Sequence, residues 1–154
     1  MARGIAGIAG AADVPWEELG VDLAARAAEL VGGLPPGGNG APPGAEARVA
    51  RIVREIERRP EGDLTLGSLA REVALSPFHF LRLFEHLTGV TPHQYVLRTR
   101  LREAAARLVS EPAKILDIAL DCGFGDLSNF NRAFRAEFSV SPRAYRGQMG
   151  QRPA

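Results

Sequence analysis

Cys122, His79, His86 and His93 are the side chains in this sequence best suited to act as nucleophile, general base or soft metal ligand. The histidines recur every seven residues. Two helical turns would separate His79 from His86 by about 10.5 Å, too far to share one metal. Cys122 falls at the apolar end of a predicted helix, beside Gly123-Phe124, with no His or basic cluster near it in sequence. That is the setting of an inert buried thiol. A single cysteine also excludes an internal disulfide framework and a Cys-rich zinc site. The expectation is therefore no catalytic residue, no cofactor and no metal: the chain is not an enzyme.

The remaining chemistry is that of arginine. Of the 19 basic residues, all but Lys114 are Arg, a bias that suits bidentate contact with phosphate or guanine and also follows from GC-rich codon usage. The basic excess is confined to one part of the chain. Residues 1–44 carry two Arg against five acids, whereas residues 45–154 carry seventeen basic residues against thirteen acids. Two short segments concentrate groups able to read base edges. One offers Phe78, His79, Leu81 and Arg82; the other offers Leu127, Ser128, Asn129, Asn131 and Arg132. Arg can bond guanine O6 and N7 together, Asn and Ser can read base edges, and Phe can contact a thymine methyl. Surface ion pairs with Glu85 or Glu137 are the ordinary alternative for Arg82 and Arg132.

The elements that must hold these groups are helical. A chain of 154 residues with 45% hydrophobic and 24% charged residues has the composition of a soluble globular protein of one ordinary domain or two very small ones. No run is apolar enough for a membrane span, and the first residues are too poor in apolar character for a secretory leader. Cytoplasmic location is the expectation. Trp16, Leu19, Leu23, Ala27 and Leu30 form one amphipathic helix over Trp16–Val31, and Gly32–Gly44, with six Gly and four Pro, reads as a linker. Beyond it, helices are predicted over 45–59, 66–74, 77–88, 92–109, 113–122 and 127–137, with a last one opening at Ser141-Pro142. Thr65, Ser76, Thr91 and Asp126 supply N-caps, and Gly89 and Gly123 the stops.

This region repeats itself. At an offset of 50, Phe80, Arg82, Phe84, Val90, Pro92 and Tyr95 match Phe130, Arg132, Phe134, Val140, Pro142 and Tyr145. Upstream the offset is 49, pairing Leu69, Ala70 and Leu75 with Ile118, Ala119 and Phe124, so the second copy has one extra residue near Gly125–Leu127. Each copy reads as short helix, tight turn, longer helix and proline-started helix. The turn has the length of a helix-turn-helix, with Ala70 and Ala119 small enough for two helices to cross closely. Phe80, Phe84, Phe130 and Phe134, at i and i+4, are the expected core seams.

Residues 64–147 resemble the DNA-binding domain of the AraC/XylS transcription regulators. The resemblance is most specific in IALDCGFGDLSNFNRAFRAEFSVSPRAYR, residues 118–146, and LAREVALSPFHFLRLFEHLTGVTPHQYV, residues 69–96, looks like the family's first motif. It implies an all-α, seven-helix double helix-turn-helix domain over 45–148, with motifs at 65–89 and 113–138 and a bridging helix at 92–109. It implies a regulator that inserts two recognition helices into successive major-groove segments of double-stranded DNA, one chain spanning about 20 bp as a monomer. By position, the base readers are Phe78, Leu81, Arg82, Ser128, Asn129, Asn131 and Arg132. Leu81 departs from the often polar residue of relatives. Phosphate contacts fall to Arg98, Arg100, Arg143, Arg146 and the helix starts at Thr91 and Ser141. Residues 1–31 then look like the remnant of a sensor domain. Activation would add RNA polymerase as a partner, although no sequence feature identifies a surface for it. The competing reading is a helical protein-interaction module derived from such a domain, without specific DNA binding.

Overall fold

The structure, a computed structural model, describes residues 43–149. The helix expected at Trp16–Val31 and most of the linker lie outside the described residues. Among those residues there are seven helices: α1 (Ala45–Arg58), α2 (Leu66–Glu72), α3 (Pro77–Thr88), α4 (Pro92–Ser110), α5 (Ile115–Asp121), α6 (Leu127–Phe138) and α7 (Pro142–Met149).

Local chemistry sets most of their starts. The hydroxyls of Thr65 and Ser76 and the carboxylate of Asp126 accept the N–H two or three residues into α2, α3 and α6. Thr91 and Gln94 form a reciprocal capping box on α4, and the Ser141 hydroxyl accepts the Ala144 N–H at the start of α7. Proline at the first position of α3, α4 and α7 removes an N–H that would have had no partner. Three helices are shorter than expected, α1 by the single residue 59. The α2 helix stops at Glu72 rather than 74, and α5 begins at Ile115, with no side-chain cap from Lys114.

Two apolar cores result. Val49, Ile52 and Ile56 of α1 pack with Leu66, Leu69, Phe80, Leu81, Phe84 and Val96. Leu101, Ala104 and Leu108 of α4 pack with Ile118, Ala119, Phe124, Phe130 and Phe134. The spacing 49, 52, 56 in α1 recurs as 101, 104, 108 in α4, so the internal repeat extends one helix further upstream than its aromatic motifs. The α4 helix therefore serves both halves: its N-terminal part closes the first core, as α7 closes the second, and its C-terminal part opens the second. Both halves carry the same aromatic triad. Phe80–Phe84 and Phe84–Tyr95 centroids lie 5.6 and 5.8 Å apart, against 5.4 and 5.4 Å for Phe130–Phe134 and Phe134–Tyr145. All four phenylalanines are fully buried, as their i, i+4 spacing predicts.

The turns inside the two motifs also match. The Leu75 and Phe124 N–H groups bond Ala70 and Ala119 O, and the Ala74 and Gly123 N–H groups bond Arg71 and Leu120 O. This is the Schellman arrangement, which needs a left-handed residue. Gly123 supplies it in the second copy (φ 89°), whereas Ala74 is forced into it in the first (φ 55°). The extra residue of the second copy is accommodated between Gly123 and Asp126, before α6 begins.

Candidate nucleic-acid interface

Burying the Phe pairs turns the opposite faces of α3 and α6 outward, and most of the expected base-reading groups lie there. Arg82, Ser128, Asn131 and Arg132 are exposed, and Phe78 and Asn129 are half-buried. The Phe78 ring lies 5.5 Å from that of His79, whose own ring nitrogen is 3.0 Å from the Ser76 hydroxyl. On α6, an Arg132 guanidinium N–H donates to Asn129 Oδ1 at 3.1 Å, a contact that orients both groups outward from one turn.

Leu81 is a correction. It is 3% exposed and belongs to the first core, so it is withdrawn from the reading face. One residue after Phe80 and three before Phe84, it widens the apolar stripe of α3. Its counterpart in the second copy is the exposed Asn131, so the two heads differ at one register position.

The second head is also the more basic. Beside it lies an open groove of about 720 Å³, lined by Asn131, Arg132, Arg135, Ser141 and Arg143 over an apolar floor that includes Leu127 and Pro142. Among the described residues three arginines and no acid line it, and the capped N-terminus of α7 opens onto it. Cations gathered beside the positive end of a helix form a surface for anionic oxygens. Arg135 was not singled out from the sequence, although it stands one helical turn beyond Arg132. That spacing was the available signal.

The expected phosphate set divides. Arg98 and Arg143 are exposed, and Thr91 and Ser141 hold the helix starts. Arg100 and Arg146 are corrections. The Arg100 guanidinium donates to three backbone carbonyls, Pro60 (2.6 Å), Gly123 (2.9 Å) and Gly62 (3.0 Å), and its burial pulls its pKa below the usual arginine range. Arg146 donates from Nε to Leu108 O at 3.1 Å, and its Nη2 is buried. Arg146 occupies the position that Val96 holds in the first copy.

Cys122 is 1% exposed, and burial raises its thiol pKa, against a smaller opposing pull from the Arg107 guanidinium. Among the described residues no three His, Cys, Asp or Glu side chains gather as metal ligands. No helix among them is long and apolar enough to cross a membrane.

Two helix-turn-helix units sharing one bridging helix, each presenting an exposed polar second helix, define a two-motif DNA-binding domain. A family model described as a helix-turn-helix domain matches residues 69–148. The chain belongs to the AraC-type helix-turn-helix family. It is 35% identical over 101 residues to the HTH-type transcriptional activator RhaS of Mannheimia succiniciproducens, covering 66% of this chain and 38% of that protein. It is 28% identical to the HTH-type transcriptional regulator MtrA of Neisseria gonorrhoeae, covering 70% and 36%. The chain thus spans slightly more than a third of the length of these relatives. Among solved structures, an AraC-type transcriptional regulator from Chromobacterium violaceum aligns with a TM-score of 0.64 at 30% identity, covering 71% of this chain and 98% of that one. The DNA-binding domain of AdpA, crystallised with a target DNA, aligns with a TM-score of 0.63 at 27% identity, covering 66% and 91%.

Proposed function

We propose that this chain is a sequence-specific transcription regulator that reads double-stranded DNA with two heads, α3 and α6, set into successive major-groove segments. The observation that carries the proposal is the duplication. The same helix, Schellman turn and second helix occur twice, each over the same Phe-Phe-Tyr triad, with polar and arginine side chains outward. Base edges would be read by Phe78 and Arg82 on one head and by Ser128, Asn129, Asn131 and Arg132 on the other. Phosphates would be held by Arg98, Arg135 and Arg143 and by the helix starts at Thr91 and Ser141. The AdpA domain, solved with its target DNA, supports the assignment by likeness of fold.

On this reading one chain contacts about two turns of duplex as a monomer, works in the cytoplasm with the DNA, and performs no catalysis. The activator role carried in the RhaS name would require a further contact with RNA polymerase.

The test is a binding selection of the full chain from random duplex DNA at physiological salt, followed by titration of the selected and a scrambled duplex across salt concentrations. A regulator should prefer the selected duplex by about 10³-fold or more, with both affinities falling as salt rises. Equal affinity for the two duplexes, lost together at higher salt, would leave only a generic basic surface. The domain would then be an interaction module.

A further inference from the structure

Arg100 lies on α4 between Val96, which feeds the first core, and Leu101, which feeds the second. At that point the two cores are joined through about one turn of helix, and a helix can curve under load. The Arg100 side chain spans the junction. Nε and Nη2 donate to Pro60 and Gly62 O, in the α1–α2 loop that carries Leu64 onto the first core. Nη1 donates to Gly123 O, in the α5–α6 turn between Cys122 and Phe124 of the second core. These carbonyls are 40, 38 and 23 residues away in sequence, on opposite sides of the junction.

The geometry is specific to both partners. A guanidinium is a rigid planar fork, so three bonds to fixed carbonyls fix the carbonyls relative to one another; an ammonium on a flexible stem cannot reproduce this. Gly123 makes room for the fork: a Cβ added there would lie 2.9 Å from Arg100 Cζ and Nε. The turn held in this way leads directly into α6, and the loop on the other side leads into α2 and its turn to α3.

We propose that Arg100 is a positioning residue that locks the angle between the two reading helices and so sets the spacing of the DNA elements the protein accepts. The proposal rests on the two-headed DNA reading for its consequence, but the lock itself is a property of the free protein. A one-base-pair change in spacing turns one element about the duplex axis by about 34–36°. A locked pair of heads cannot follow that turn, and a loosened pair can.

Two measurements on the full chain test this, using Arg100→Lys. In the first, amide residual dipolar couplings are measured without DNA. In the wild type one alignment tensor should fit residues 45–96 and 101–149 together; in Arg100→Lys the two halves should need separate tensors. In the second, affinity is measured for the selected site and for sites with one base pair added or removed between the elements. The wild type should lose about tenfold or more, and Arg100→Lys less than about threefold, while each element keeps its base preference. A single tensor in Arg100→Lys, or an undiminished spacing penalty, would overturn the proposal. If Arg100→Lys fails to fold, Gly123→Ala, which pushes on the guanidinium from the other side, should separate the tensors. Unfolding of both variants would overturn the proposal too, since the residue would then support the fold of one half and not the angle between halves. If the wild type selects no specific site, the two-headed DNA reading fails, and the couplings still decide whether the lock exists.

Discussion

Arg132 and Arg143 line the same groove but are assigned different work, and substitution separates the two roles. On the proposed reading Arg132, one turn along α6 and hydrogen-bonded to Asn129, bonds a base edge. Arg132→Ala should cost about 1–3 kcal/mol on the selected site and relax preference at one position, read by titrating single-base variants of that site. Arg143→Ala should weaken all duplexes alike and flatten the salt dependence by about one phosphate contact. Equal, sequence-independent losses for both would remove Arg132 from the readers. Cys122 provides a contrast at the same scale. Buried, with a raised pKa, it should react with a thiol probe at the rate of unfolding, and rapid labelling of the folded chain would reopen the question of chemistry there.

At the scale of elements, each copy contains two left-handed positions, and the copies assign glycine to opposite ones. In the first copy the turn inside the motif has Ala74 and the end of α3 has Gly89; in the second the turn has Gly123 and the end of α6 has Ser139 (φ 63°). A non-glycine residue there is strained by about 1–2 kcal/mol, partly offset by the greater chain entropy of glycine. Ala74→Gly and Ser139→Gly should therefore each stabilise by about 0.5–1 kcal/mol in denaturant titration. Gly89→Ala should destabilise by about 1 kcal/mol through backbone strain alone, because the space beside Gly89 is open. The core responds on a larger scale. Phe134 is fully buried between Phe130, Phe138 and Tyr145, so Phe134→Ala should cost about 3–5 kcal/mol, enough to unfold a small domain. A variant with unchanged stability would mean that the aromatic seam does not hold α6.

At the scale of the molecule, what was legible in the sequence was local or periodic. The Ser76-Pro77 and Thr91-Pro92 starts follow from chemistry within four residues, and the Phe pairs from helical period. The repeat told which faces would be buried twice over. Leu81 was misplaced because it lies at the border of the apolar stripe, where only the neighbouring α1 and α2 helices decide which way a residue is covered. Arg100 and Arg146 were misplaced for a related reason: their partners are carbonyls 23 to 40 residues away, and no pattern along the chain announces them. The groove arginines Arg135 and Arg143 come together only when α7 folds back beside α6.

The central claim is that one chain reads DNA with two separate heads, and the most direct test removes them one at a time. The binding selection is repeated with Arg82→Ala and with Arg132→Ala. Wild-type protein should yield an asymmetric motif with two elements about one helical turn, 10–10.5 bp, apart. Arg82→Ala should erase information in one element and Arg132→Ala in the other, each leaving its neighbour intact. A single element that only Arg132→Ala removes, with Arg82→Ala silent, would contradict the claim and reduce the first unit to a support for the second.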